Sequence, residues 1–291
     1  MSDKLYSPDA AHWYGRDGVA CHTVPSLKGS SQTAKMRPTT LRDARKLGLY
    51  PSVTNIISVI AKPELTSWLQ AQAVMAALTL PRNPGESEDA FAQRVVADSK
   101  STRDSAAEFG TAFHAGAELV AHSLTVDAAH PAAAWLHHYF AWYRRNVVSL
   151  RWTEAVLVNH DLGYAGTADL LIDHAVHGPT LVDLKTMKCL RTASGKLNTP
   201  KPYSSWGYQL AAYRKALGLP VKCLNLIVNS NEPSEPIEHV WSAEELETGW
   251  RAFEAAHRLW VIEKGYNPAA PCAPCGGPLG GGPAGELVLT A

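Results

Sequence analysis

The stretch WTEAVLVNHDLGYAGTADLLIDHAVHGPTLVDLK, residues 152–185, holds three apolar, β-prone runs separated by two turn sequences. His160, Asp161 and Gly163 mark the first turn, and the run from His174 to Pro179 marks the second. The three runs read as consecutive strands of an antiparallel meander. Side chains two apart on a strand share a face. Asp183 and Lys185 therefore point the same way while Val182 and Leu184 turn into the core, and Glu154 and Asp169 reach the same end of the sheet from the preceding strands. Carboxylates and an amine gathered there are groups suited to holding a metal ion and moving protons. For any one of them taken singly, the alternative is an exposed strand residue in an ordinary salt bridge.

The chain around this stretch reads as helices interrupted by strands. Downstream, a polar and basic connection (residues 186–205) leads to a helix, WGYQLAAYRKALG, stopped by Gly218 and Pro220. A buried strand, VKCLNLIVNS, an edge strand at Ile237 to Trp241, and a last helix capped by Ser242 follow. Upstream, Thr39 to Leu47 suggests a short basic helix whose Arg42, Arg45 and Lys46 form a solvated face or a phosphate contact. Ser52 and Thr54 cap another short helix, and Pro63 opens a longer one through Leu80. In that longer helix Trp68, Leu69, Val74, Met75 and Leu78 approximate a stripe expected to face the core. A helical pattern from Asp89 to His122 is expected to break near Ser99 to Arg103. Its later half is rich in small residues, and Gly110 and Gly116 cost helix stability unless close packing uses them. The helix PAAAWLHHYFAWYRRNV reads as core with a basic end. The expected fold class is α/β (α+β): a sheet flanked by helices, with an N-terminal helical layer. Residues 1–50 read as a turn-rich segment, 51–264 as the main domain, and 265–291 as a flexible Pro/Gly-rich tail.

Bulk properties exclude several classes. The 291 residues carry a formal net charge of zero, so any polyanion-binding role must rest on a local patch. No apolar run approaches the roughly 20 residues needed to span a bilayer, and the N-terminus lacks the pattern of a signal peptide. No membrane association is expected, and a cytoplasmic location is. Five cysteines, Cys21, Cys189, Cys223, Cys272 and Cys275, are too few and odd in number for a disulfide framework.

Four short motifs in order now bear on identity: Gly110 to His114 (GxxxH), Gly166 to Asp169 (G-x-x-D), Asp183-Leu184-Lys185 (D-x-K) and Gln209 to Tyr213 (Q-x-x-x-Y). In these the chain resembles the PD-(D/E)XK nuclease superfamily, and more narrowly its RecB-like exonuclease branch, which includes CRISPR-associated exonucleases, the mitochondrial genome maintenance exonuclease and phage enzymes. The PSVT near residue 51 and the Lys62-to-Trp68 stretch also look like the mitochondrial and phage members. The resemblance covers residues 50 to 215 and implies a restriction-endonuclease-like core with a central mixed sheet. It implies that His114, Asp169 and Asp183 ligate Mg²⁺ or Mn²⁺ with the Leu184 carbonyl, and that Lys185 is catalytic. Glu154 matches an acidic position whose role is less secure. Gln209 and Tyr213, four apart on one helical face, would steer the scissile phosphate or order Lys185, Tyr213 being a core aromatic in the alternative reading. Ala168 stands where the superfamily name has proline, as is common in this branch.

Some relatives hold an iron–sulfur cluster with four cysteines, three of them grouped after the core. Here only Cys272 and Cys275 form a downstream pair, which argues against a cluster and leaves half a zinc site, a dimer contact or incidental thiols. Between Asp183 and Glu232 no acidic residue occurs, while Lys185, Lys188, Arg191, Lys196, Lys201, Arg214, Lys215 and Lys222 are basic. This is the local patch that zero net charge conceals, and Lys188, Arg191, Lys196, Lys201 and Arg214 become candidate phosphate contacts. Tyr203 and Trp206 could stack on unpaired bases; for Trp206 a helix-start core anchor is the other reading. The expectation is a Mg²⁺-dependent DNA exonuclease of recombination or repair, plausibly phage-encoded. It would act on DNA with a free end, in some cases single-stranded, alongside a recombination partner protein or as a homo-oligomer. A structure-specific endonuclease and a non-catalytic DNA-end-binding protein are the alternatives.

Overall fold

In a computed structural model, which describes residues 12–26, 35–195, 197–198 and 201–270, the meander forms as three long strands. They are β5 (Val147–Asn159), β6 (Tyr164–His174) and β7 (Gly178–Met187). Gly163 and Gly178 supply the positive φ that the two turns need (70° and 67°). After β7 the chain crosses through α6 (Ser204–Leu217) to β8 (Lys222–Asn229), which lies parallel to β7, and β9 (Ile237–Trp241) returns antiparallel beside it. The result is one five-stranded mixed sheet of order β5-β6-β7-β8-β9, an α/β architecture. The helix crossover is what a parallel pair requires.

Two apolar layers cover the sheet. On one face Leu171, Leu181 and Cys223 pack under α6, α7 (Ala243–Lys264) and α2 (Val53–Ile57) through Leu210, Phe253, Trp260 and Ile56. On the other face Leu170, Ile172, Val182, Leu184, Leu224 and Leu226 meet α4 (Glu88–Ala121) and α5 (Ala133–Asn146) through Phe113, Leu136, Tyr139 and Trp142. The alternation expected of β7 is observed: Val182 and Leu184 are buried against α4 and α5, while Asp183 and Lys185 face α6. Both glycines of α4 are used by packing. A Cβ on Gly116 would overlap Leu136 of α5, and one on Gly110 would lie 3.2 Å from Thr186 Oγ1.

Three expectations are corrected. No break interrupts α4: residues 99–103 contain no Gly or Pro, and the Ser99 and Ser101 hydroxyls bond back to the Val96 and Asp98 carbonyls within the helix. The stripe on α3 (Pro63–Thr79) does not face the core, since Trp68, Val74, Met75 and Leu78 are all exposed. The principal neighbour of α3 is α4 rather than the sheet, so its apolar residues find no layer to enter. The segment before residue 51 holds paired strands besides the short helix expected there. β1 (Trp13–Tyr14) pairs with β4 (Tyr50–Pro51), β2 (Thr23–Pro25) pairs with β3 (Met36–Pro38), and α1 (Leu41–Leu47) lies between β3 and β4. Trp13 and Tyr14 are buried in the main body.

The ordered body also continues past residue 264. The Tyr266 hydroxyl donates to the Leu49 carbonyl at 2.8 Å, and Arg16 donates to the Pro268 and Ala270 carbonyls. Cys272, Cys275 and the rest of the expected tail lie outside the described residues; Cys21, Cys189 and Cys223 are free thiols. Among the described residues no helix is long and apolar enough to cross a membrane.

Candidate active site

The strand registers build the site. Thr153 pairs with Leu170 and Ala155 with Ala168, so Glu154 stands directly across from Asp169. Leu170 pairs with Val182, the last pair of the β6–β7 ladder, and just beyond it Asp169 of β6 lies beside the Asp183–Leu184 stretch of β7. Asp183 pairs with Asn225 on β8. Glu154 and Asp169 thus form one opposed pair and Asp183 and Asn225 another, a row across four strands that is joined where the Leu184 amide N–H donates to Asp169. Like charges directly opposite one another destabilise a sheet, so this row needs a compensating cation or proton.

Backbone irregularity coincides with the row. Glu154 adopts φ 46°, a left-handed conformation that non-glycine residues rarely take. Across from it the alternation of β6 slips by one: Tyr164, Ala168 and Leu171 all join the α6-side layer, whereas Leu170 and Ile172 join the α4–α5 layer. The β6–β7 ladder also stops at Leu170, and the Asp169 carboxylate instead accepts the Leu184 amide N–H at 2.6 Å. Asp169 is held at a seam where α4 approaches, and His114 Nδ1 lies 3.8 Å from its Oδ2.

Ligand atoms of His114, Glu154 and Asp169 all fall within 4.8 Å of one another. Burial, then the charges of Asp169 and Glu118, push the Glu154 carboxyl up to about 7. Among the described residues it has no hydrogen-bond donor. A half-buried carboxylate without a donor, beside two other acids, is an environment that a divalent cation offsets, so this set fits one on its own chemistry.

Asp183 is almost fully enclosed and is bound on both oxygens. Lys185 Nζ lies 2.9 Å from Oδ1 and 2.7 Å from Oδ2, and Asn225 Nδ2 donates to Oδ2 at 2.6 Å. Burial raises the Asp183 carboxyl to about 6, with Lys185 pulling in the opposite direction. Expected from the resemblance among the metal ligands, Asp183 in this arrangement first serves to hold Lys185. Lys185 Nζ also donates to Gln209 Oε1 at 3.2 Å, and Gln209 Nε2 donates to the Tyr213 hydroxyl at 3.1 Å. Burial raises the Tyr213 phenol well above its usual range, so it stays protonated. Tyr213 leans on Gly166, where a Cβ would sit 2.7 Å from its ring. This gives the glycine of the G-x-x-D strand a packing reason.

Three residues at the site carry no motif. Asn225 holds Asp183, and the Trp241 indole N–H donates to Asn225 Oδ1 at 2.7 Å, fixing the amide's orientation. An asparagine in the apolar run CLNLIVN was the available signal, because a buried polar side chain needs a partner. Tyr14, from the N-terminal segment, shares a 3.0 Å hydrogen bond with Thr167, two residues before Asp169.

The basic patch divides. Lys188 is exposed just beyond β7. Arg191 is engaged, 2.7 Å from Glu232 and bonded to the Gly195 carbonyl. Arg214 lies five positions after Gln209, about 140° around the helix, and lines a crevice with Leu246 and Trp250 of α7. Lys201 and Trp206 line a separate groove. Lys196 lies outside the described residues. A second histidine–carboxylate cluster, His174, His177 and Glu238, sits where the β6–β7 turn meets β9. Comparison with protein-family models and with curated proteins finds no match.

Proposed function

We propose that this chain is a divalent-metal-dependent deoxyribonuclease with a PD-(D/E)XK-type core, acting as an exonuclease at DNA ends. One observation carries the reading: the His114–Glu154–Asp169 cluster is tied through the Leu184 amide to β7, whose next residue is a lysine with its amine fixed between Asp183 and Gln209. Glu154, Asp169, His114 and the Leu184 carbonyl are the groups that would hold Mg²⁺ or Mn²⁺. Bound there, such an ion supplies charge stabilisation at a phosphoryl oxygen and acidifies its bound water.

The chain's own residues have separate tasks. Lys185, oriented by two acceptors, presents its remaining N–H toward a developing phosphoryl charge or orients the attacking water. Gln209 fixes that amine and is itself fixed by protonated Tyr213. Asn225 and Trp241 keep Asp183 facing Lys185 rather than solvent. A role in DNA recombination or repair, a phage origin, a partner protein or oligomer, and a cytoplasmic setting accord with the resemblance and belong to this proposal.

The test uses end-labelled linear DNA and covalently closed circles, single- and double-stranded, with Mg²⁺, Mn²⁺ or EDTA. Metal-dependent release of nucleotides from linear DNA is expected, with circles intact. Cleavage of circles would replace the exonuclease with an endonuclease, and DNA binding without cleavage in either metal would leave a DNA-end-binding protein.

A further inference from the structure

A groove of about 770 Å³ runs between the α2–α3 connection and the start of α6. Lys62 and Trp68 stand on one side of it; Lys201, Tyr203, Trp206 and Tyr208 stand on the other. Tyr203 and Trp206 meet edge to face, their ring centroids 5.2 Å apart. Trp206 is anchored against the core, whereas Trp68 and Tyr203 keep more than a third of their surface open. Isolated exposed aromatics need no explanation, but four lining one groove, with two lysines as the charged groups among its described lining residues, do.

The groove lies beside the proposed chemistry. Trp206, Gln209 and Tyr213 occupy positions i, i+3 and i+7 of α6 and therefore share a face. Trp206 stands about 4.5 Å along the helix axis from Gln209, whose side chain accepts from Lys185. The groove therefore lies along the N-terminal half of α6, less than one helical turn from Gln209.

We infer that this groove binds an unpaired DNA strand, its bases stacking on Trp68 and Tyr203 while Lys62 and Lys201 meet its phosphates. The inference rests on the nuclease reading and narrows its substrate to a strand unpaired next to the cleavage point. Aromatic faces take any base and duplex bases stay stacked on each other, so the groove selects for strandedness and tolerates sequence. Paired lysines make its affinity fall with salt.

The experiment measures anisotropy of labelled oligo(dT) and of a blunt duplex on the full chain in EDTA, so that nothing is cleaved, and then cleavage of both with Mg²⁺. Trp68→Ala and Tyr203→Ala are each expected to weaken oligo(dT) by about tenfold and leave the duplex unchanged, with Trp68→Phe restoring most of the loss. Unchanged oligo(dT) affinity in folded Trp68→Ala and Tyr203→Ala overturns the inference, as does an equal loss on duplex or a preference for oligo(rU) over oligo(dT). The two readings fail separately. Oligo(dT) held through Trp68 with no Mg²⁺-dependent cleavage removes the nuclease and keeps the groove. Cleavage that depends on Asp183, with affinity indifferent to Trp68 and Tyr203, does the reverse.

Discussion

Two histidine–carboxylate clusters each draw a residue from β6, Asp169 in one and His174 in the other, and each has three possible ligand atoms within 4.8 Å. Their donor types are nearly the same, and their surroundings give them different capacities. At His174, Nδ1 accepts the backbone N–H groups of Val176 and His177 at 3.1 and 3.4 Å. The hydrogen-bond network therefore assigns the ring proton to Nε2, which faces Glu238 Oε1 at 3.4 Å. That nitrogen has no lone pair for a metal, and the Trp142 indole N–H already donates to the same glutamate oxygen at 2.6 Å. The His174 ring and Glu238 Oε1 are already held, His177 Nε2 lies 3.8 Å from Glu238 Oε2, and the cluster's effect is to pin the β6–β7 turn to β9. At Glu154 the carboxylate has no donor among the described residues, a strained backbone and two acidic neighbours. Proximity of ligand atoms does not distinguish the clusters; what already holds each atom does.

The widest separation between them should appear in catalysis. Asp183→Ala and Lys185→Ala are each expected to reduce metal-dependent DNA cleavage by about 10³-fold, while His174→Ala leaves the rate per folded molecule unchanged. Initial rates on end-labelled linear DNA, normalised to the folded fraction by circular dichroism, provide the measurement. Comparable losses at His174 would erase the distinction between a reactive and a structural cluster.

Metal affinity should divide the clusters next. Calorimetric titration with Mn²⁺ should show one site, weakened tenfold or more by Glu154→Gln and by Asp169→Asn and unaffected by His177→Ala. A titration abolished by His177→Ala would move the ion to the opposite cluster. In stability the order reverses. His174→Ala removes an enclosed ring with three hydrogen-bonded neighbours and is expected to cost about 2 kcal/mol in denaturant unfolding, more than Glu154→Gln, which should stabilise the metal-free chain.

Strand alternation and turn chemistry made the meander, the Asp183–Lys185 face and the Ser242-capped helix readable in advance, because these depend on neighbours along the chain. The bounds expected for β9, Ile237 to Trp241, are those observed. The rest depends on contacts that local pattern does not encode. Asn225 matters because β8 pairs in parallel with β7, and nothing within CLNLIVN specifies that register. Glu154 gains its left-handed backbone and raised pKa from strands and helices brought together only in the fold. The exposed stripe of α3 shows the same limit from the opposite side, since helical spacing tells which residues share a face but not what that face meets.

The smallest expected effect bears most directly on why Glu154 differs from Glu238. Its carboxyl is raised in the folded chain to about 7, against 4.5 for the free side chain. Between these values the folded state retains a proton that the unfolded state has released. Metal-free stability should therefore fall as pH rises from about 4.5 to 7, by this group's share, and level off above. Glu154→Gln carries no titrating proton, so the metal-free variant should lose that slope and melt higher than the parent at pH 8, by about 2–4 °C for each kcal/mol recovered. Added Mg²⁺ should raise the parent's melting temperature at pH 8 and do much less for the variant, since only an ionised carboxylate gains from the ion. Thermal melts of both proteins across this range, with and without Mg²⁺, read all three effects. A parent curve that runs parallel to that of the variant would mean that Glu154 is as well satisfied as Glu238, and would remove the physical ground for setting the two clusters apart.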